Sequence, residues 1–275
     1  MTQETITIRL PKLTRPYTFY HTSDCHVAYA AADEPQEAKA TAEKYAKFWC
    51  PSGPTPAQAF DGVLRMADEN HADGLFLCGD VADYYSSGTV RYIKDRLQSA
   101  STETFYVYGN HEGSVYNQKT ADARACYPDY AEVMRGSPAF WERDFGEFLL
   151  VGIDNGDKKI QAEQLAFLEA QFLKGKPILL LIHIPLYTDA IAGPVKAKWG
   201  ENGCDYFTLG QPQDTELSRK FCEAVKRPDN NIAAIFAGHI HLSHEGEFSP
   251  GRMQYTAAPT FQGSVRKVLL VKADD

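Results

Sequence analysis

A chain of 275 residues can form one large domain or two small ones and bury a sizeable core. Its 44% hydrophobic and 23% charged residues are ordinary for a soluble globular protein. The net charge of −8 excludes the overall basic field that would hold nucleic acid or an anionic membrane, but leaves room for a local positive centre made by metal ions. The start, Met1-Thr2-Gln3-Glu4-Thr5, is polar and does not read as a signal peptide. The longest apolar run, Ile178 to Ile182, is far too short to span a bilayer, so a cytoplasmic chain with no membrane partner is expected. Six cysteines without a CxxC pair favour reduced thiols over a disulfide frame.

Residues 5–10 alternate as an edge strand would, and Tyr17–His21 is a second strand leading to Asp24 and His26. A long departure over 27–53 turns helical around Glu34–Phe48 and ends in Cys50-Pro51-Ser52-Gly53-Pro54, a loop signature. Its Tyr45, Phe48 and Trp49 suit either packing on the body or a flap over a site. Thr55-Pro56 caps a helix with Phe60, Val63, Leu64 and Ala67 on one face. Leu75–Cys78 then reads as a buried central strand that turns at Gly79 and presents Asp80 and Asp83. A helix from about Ser87, with Val90, Ile93 and Leu97 inward, precedes the strand Thr104–Tyr108. Residues 112–138 carry little pattern.

Phe148–Ile153 is a strand, Gln161–Leu173 an amphipathic helix, and Ile178–Ile182 a strand that reaches His183. Residues 187–212 form a second, Gly- and Pro-punctuated insertion with Trp199, Tyr206 and Phe207. The helix Thr215–Val225 and the strand Ile232–Phe236 deliver His239 and His241, and short strands near 246–248, 253–257 and 268–271 finish the chain. With no repeat and no low-complexity linker, one domain over 1–275 is expected, with insertions at about 27–53 and 187–212. The alternation predicts a layered α/β architecture, either two packed sheets flanked by helices or one large sheet.

Five strand ends together carry two Asp, one Asn and five His, in Ser23-Asp24-Cys25-His26, Gly79-Asp80, Gly109-Asn110-His111-Glu112, Ile182-His183 and Gly238-His239-Ile240-His241. Carboxylate, amide and imidazole are a ligand set for divalent or trivalent transition metals, with no thiolate required. Asp24 and His26, like His239 and His241, are two residues apart, so each pair points the same way from extended chain or straddles a turn. His21, His71 and His244 read as ordinary histidines, His244 alternatively as a neighbour of a ligand. Cys25 and Cys78 are expected to pack inward.

In this order, Asp24-x-His26, Gly79-Asp80-x-x-Asp83, Gly109-Asn110-His111-Glu112, His183 and Gly238-His239-x-His241 resemble the calcineurin-like metallophosphoesterase family. The resemblance implies a four-layer α/β/β/α sandwich of two mixed sheets with a dinuclear site of Mn, Fe or Zn at the sheet ends. It further implies that Asp24, His26 and His241 hold one metal, that Asn110, His183 and His239 hold the other, and that Asp80 bridges them. His111 then resembles the general acid, oriented by Asp83, and Asn110 and His111 are the expected contacts to bound phosphate. The implied activity is metal-dependent hydrolysis of a small or nucleotide-like phosphate ester, mono- or diester, with no nucleic-acid polymer as partner. A non-catalytic metal-binding scaffold of the same fold is the alternative. Such scaffolds lose ligands or the acid histidine, whereas this chain keeps all eight positions.

Departures narrow the family. Asp83-Tyr84-Tyr85 lacks the Asp-Arg-Gly of protein serine/threonine phosphatases, and Tyr108 stands where those carry Arg. His26 replaces the tyrosine-bearing pattern of purple acid phosphatases, so no Fe(III)–tyrosinate colour is expected. Tyr84, Tyr85, Trp199, Tyr206 and Phe207 suit either loop packing or stacking on a base. The two insertions are expected to shape substrate choice and to leave metal binding alone.

Overall fold

The computed structural model describes residues 2–114 and 123–273. Its first sheet holds β1 (Thr2–Leu10), β2 (Tyr17–Thr22), β3 (Gly74–Cys78), β4 (Thr104–Val107) and β11 (Ser264–Lys272), in the order β1-β11-β2-β3-β4. The second holds β5 (Phe140–Asp144), β6 (Leu149–Ile153), β7 (Ile178–Leu181), β8 (Ile232–Ala237), β9 (His244–Ser249) and β10 (Arg252–Thr256), in the order β5-β6-β7-β8-β10-β9. Both sheets mix parallel and antiparallel pairs: β2, β3 and β4 run parallel, as do β6, β7, β8 and β10, while β11–β2, β5–β6 and β9–β10 are antiparallel. Of the two arrangements open from the sequence, the two-sheet one is found.

Helices cover the outer faces. α2 (Pro56–Glu69) and α3 (Ser87–Ser99) bury Phe60, Val63, Leu64, Val90, Ile93 and Leu97 on the first sheet. α5 (Ala162–Phe172) and α8 (Glu216–Lys226) bury Leu168, Phe221 and Val225 on the second. Thr55 caps α2 as its sequence promises, its hydroxyl accepting from Gln58 N while Gln58 reaches back. Successive strand residues point to opposite faces, so each central strand feeds two cores. Leu75 and Leu77 of β3 meet the helices, whereas Phe76 and Cys78 enter the layer between the sheets. This is why the strand reads as an unbroken apolar run. In β7, Leu179 and Leu181 face the middle layer and Ile178 and Leu180 the outer helices.

The middle layer is largely aromatic. Phe19 stacks on Phe76 at 4.8 Å and meets Phe105, Phe145 and Phe148 edge-on. The remaining helices are α1 (Gln36–Trp49), α4 (Tyr127–Tyr130), α6 (Asp189–Trp199) and α7 (Gly203–Phe207). α1 lies where the first insertion was expected to turn helical. α6 and α7 lie within the Gly- and Pro-punctuated insertion 187–212, and β5 was not foreseen. Residues 115–122 of the patternless stretch lie outside the described residues; its described part holds a short 3-10 turn, Ala123–Cys126, and α4.

Because Phe19 is fully buried between the sheets, Phe19→Ala should destabilise the fold by about 3–5 kcal/mol through lost transfer energy and the cavity left behind. A urea unfolding midpoint unchanged from wild type would contradict this account of the core.

Candidate metal centre

Parallel strands place ligands beyond their carboxyl ends, and five such ends meet here. β2 delivers Asp24 and His26, β3 delivers Asp80, β4 delivers Asn110 and His111, β7 delivers His183, and β8 delivers His239 and His241. The sheets are joined at this point: His183 Nδ1 donates to the Cys78 carbonyl at 2.8 Å, fixing that ring from the facing sheet. Five of these residues have left-handed backbone, Asp24 (φ 53°), His26 (50°), Asp80 (53°), His239 (67°) and His241 (53°). Left-handed backbone is uncommon outside glycine, with Asp and His among the more tolerant residues. The i, i+2 pairs therefore straddle turns and are not extended, and each turn folds its side chains back over the sheet ends.

The side chains converge. His26 Nε2 lies 3.2 Å from His241 Nε2, and His241 Nε2 lies 3.2 Å from Asp24 Oδ1. On the other side, His183 Nε2 is 3.0 Å from Asn110 Oδ1, 3.1 Å from His239 Nδ1 and 3.2 Å from Asp80 Oδ2. Asp80 Oδ2 is also 4.0 Å from His26 Nε2, so this one oxygen faces both sets. Two imidazole pairs thus aim ring nitrogens at each other beside carboxylates, an arrangement of lone pairs that a pair of cations would satisfy. The donor set fits two transition-metal ions. His26, Asp80 and His111 form a third such grouping, with ligand atoms within 4.8 Å.

Charge is balanced locally. Burial opposes ionisation of Asp24, but His241 and His183 outweigh it and hold the carboxyl at about 2. Asp80 is likewise held well below the usual carboxylate range, burial being outweighed by His183, His111 and His26. Burial disfavours a charged His111, yet Asp80 and Asp83 raise it to about 10. Burial and the charge of His183 lower His239 to about 3.

Asp83 touches both histidines it sits between. His26 Nδ1 donates to its Oδ1 at 3.0 Å, and His111 Nδ1 lies 3.4 Å from the same oxygen. The shorter contact to His111 comes from the Asp83 main chain, whose carbonyl accepts from Nδ1 at 2.7 Å. Nδ1 of His111 is thus engaged by both the carbonyl and the carboxylate of Asp83. His111 is the half-exposed member of the group, its side chain 22% accessible against 1% for His26.

Several residues of the site were not singled out from sequence. Glu112 is fully buried and accepts from Asp80 N, Val81 N, Gly109 N and the Tyr106 hydroxyl, at 2.7–3.1 Å. Burial and the nearby Asp80 raise it to about 7. Asn155 Oδ1 accepts from His183 N and Ile184 N, fixing the chain at that ligand. A strand followed by Asp154-Asn155-Gly156 was the available signal. Lys198 donates to the His241 carbonyl.

The histidines set aside are apart from the centre: His21 is buried with Nε2 on the Ala237 carbonyl, His71 is exposed, and His244 bonds to the Ala190 carbonyl. Cys25 and Cys78 are buried and free, as expected. Of the candidate stacking residues, Trp199 and Phe207 stack on each other at 4.2 Å beside His241 and His239. Tyr84 is buried near Tyr45, Tyr85 bonds to Asp129, and Tyr206 is 70% exposed. Trp49, in the insertion expected to leave metal binding alone, places its ring 4.0 Å from that of His26.

The sequence profile of calcineurin-like phosphoesterases matches residues 17–243, and the chain belongs to that family, which supports metal-dependent hydrolysis of phosphate esters. No curated protein matches this sequence. Among solved structures, a dimetal phosphatase from Danio rerio is similar at 14% identity and a TM-score of 0.56, over 89% of this chain and 88% of that one. A purple acid phosphatase from yellow lupin seeds is similar at 16% identity and a TM-score of 0.54, over 94% of this chain and 46% of that one. At such identities the likeness is one of fold. Among the described residues, no helix is long and apolar enough to cross a membrane.

Asp80 Oδ2 faces both ligand sets, so Asp80→Asn removes one negative charge from between two cations. The variant should bind both equivalents of Mn²⁺ more weakly, as read by metal content after dialysis. Full occupancy at unchanged affinity would remove Asp80 from the bridging place.

Proposed function

We propose that the protein hydrolyses a small phosphate ester, mono- or diester, at a dinuclear site. Asp24, His26 and His241 hold one ion, Asn110, His183 and His239 hold the other, and Asp80 is shared. The supporting observation is the meeting of two Asp/His groups on opposite sides of Asp80 Oδ2, at the joined ends of two sheets. When bound, the ions supply Lewis acidity at the phosphate and lower the pKa of water towards neutrality.

The chain's own groups do the rest. His111 presents Nε2 to the leaving oxygen and gives it a proton, while Nδ1 is held by the Asp83 carbonyl and carboxylate. Asn110 and His111 stand at the exposed side of the group, where a phosphate would enter. Asp83 also holds Nδ1 of His26, leaving that ring's Nε2 to face the ion. Two carboxylate ligands leave the loaded site positive, which attracts phosphate although the chain as a whole carries −8. The reading extends to a cytoplasmic chain working as one domain, on a small ester and not on a nucleic-acid polymer.

The reading is tested by a panel of phosphomonoesters and phosphodiesters with Mn²⁺, Fe²⁺ or Zn²⁺ each added to apo protein. Within it, His111→Asn should keep two ions per chain. It should lose about 10²–10⁴ in kcat on an alkyl phosphate, far more than on a nitrophenyl one, and lose the basic limb of its pH–rate profile. A nitrophenolate leaves unaided, whereas an alkoxide needs the proton. Equal losses on both esters would make His111 a phosphate contact, and loss of one ion would make it a ligand.

A further inference from the structure

The segment between β2 and α2 ends inside the metal centre. Trp49, the last residue of α1, lies with its indole 4.0 Å from the His26 ring and nearly parallel to it, at 24°. Its Nε1–H donates to Asp83 Oδ1 at 2.7 Å. That oxygen also accepts from His26 Nδ1 at 3.0 Å and lies 3.4 Å from His111 Nδ1. One buried carboxylate oxygen therefore meets three ring nitrogens, and the shortest contact belongs to the residue that is neither ligand nor acid.

The segment is fixed at both of its ends. Before α1, Glu34 Oε1 accepts from Gly88 N at 3.1 Å and Ser87 Oγ at 2.9 Å, in the first turn of α3. After it, the Cys50 thiol donates to the Phe261 carbonyl at 3.2 Å, and the Phe261 ring lies 5.0 Å from Trp49. Tyr45 adds a ring contact with Tyr84 at 5.6 Å, next to Asp83 in the chain. These contacts tie the segment to the body on both sides of α1.

We propose that Trp49 is a positioning residue of the dimetal site, setting Asp83 and His26 together and, through Asp83, His111. The inference rests on the reading of His26 as a ligand and His111 as the acid. An indole N–H is a donor only and keeps its proton throughout the working pH range, so it gives the Asp83 carboxylate one constant direction. The ring face prevents His26 from tilting away from its ion. If Asp83 rotates, its carboxylate contacts to Nδ1 of His26 and of His111 are both lost. Outer partners of ligating histidines typically contribute about 10–100-fold to metal affinity or activity.

The test compares four chains: wild type, Trp49→Phe, a chain with 3-benzothienylalanine at 49, and Leu173→Ala. The benzothienyl ring keeps the indole's shape and replaces its N–H by sulfur, so it isolates the hydrogen bond where a smaller ring might disturb the fold. Apo proteins are titrated with Co²⁺ by absorption and calorimetry. Both Trp49 variants should bind one Co²⁺ per chain about 10–100-fold more weakly and the other as in wild type. Their kcat should fall more on an alkyl phosphate than on a nitrophenyl one, with thermal midpoints near wild type. Leu173, 89% exposed at the end of α5, is the control: Leu173→Ala should match wild type. Wild-type Co²⁺ affinities in the benzothienylalanine chain would overturn the inference, and so would equal weakening of both ions. The titration needs no turnover. Graded Co²⁺ binding in a chain that hydrolyses no ester would support Trp49 in this role while counting against the phosphoesterase reading.

Discussion

Three aspartates, Asp24, Asp80 and Asp83, are buried together at the ends of two sheets, and the rest of the molecule answers the cost of placing them there. A buried carboxylate without partners is strongly unfavourable. Main-chain donors meet part of the demand: His239 N reaches both oxygens of Asp24 at 3.0 and 3.2 Å, and His111 N reaches Asp80 Oδ1 at 2.9 Å. The chain turns left-handed at Asp24 and Asp80, which accept these bonds, and at His239, which gives one of them. Local backbone strain is thus retained where donors are aimed at charge. Imidazoles meet a further part, and bound cations would complete the balance.

Glu112 shows how the geometry is kept rigid. Its carboxylate is not aimed at the centre; it collects N–H groups from the turn after β3 and from the turn after β4, together with the Tyr106 hydroxyl. Asp80 and Asn110 therefore sit on two turns tied to one carboxyl group beneath them. Close approach enforces this. A Cβ on Gly109 would stand 2.3 Å from Asp80 Oδ1 and 2.4 Å from its backbone nitrogen, so only glycine lets the two turns touch. Gly79, at φ 83°, plays the matching part against the His183 ring, 2.3 Å from where its Cβ would be. Ligands from different sheets can share an ion only if such contacts hold them within a few tenths of an ångström.

The sequence made the architecture legible because both faces of the central strands are buried, so Leu75–Cys78 and Ile178–Leu181 are apolar throughout. The convergence of the candidate ligands was legible for a related reason: strand ends force polar residues into short, Gly-marked turns. What stayed hidden has physical causes. β5 is an edge strand whose Glu142, Arg143 and Asp144 pair with Lys174, Glu103 and Lys176, so it carries no apolar run. α6 holds Gly193 and Pro194 inside it, two residues that signal a break, yet Thr188 caps its start and Ile191 and Val195 bury its inner face. Glu112 reads as an acid beside a histidine, and nothing local reveals that four donors from elsewhere converge on it. Trp49 is hidden in the same way, because its partners Asp83 and His26 lie on opposite sides of it in the sequence, 34 and 23 positions off.

The two insertions reach the centre by the same physical means. α1 and α6 each end on a tryptophan, and each indole donates its N–H beside a ligand, Trp49 to Asp83 and Trp199 to the Ile240 carbonyl between His239 and His241. Both rings lie against His241, at 5.5 and 5.9 Å and nearly edge-on. A large apolar ring with one fixed donor suits this position: it excludes water from an imidazole ligand and costs little side-chain entropy to hold. Excluding water lowers the local dielectric and strengthens every charge interaction within. The insertions, separate in sequence from the sandwich they interrupt, complete the wall around its charged centre. Any change in their length or angle that moves an indole therefore reaches the ligands directly, through Asp83 on one side and the His239–His241 turn on the other.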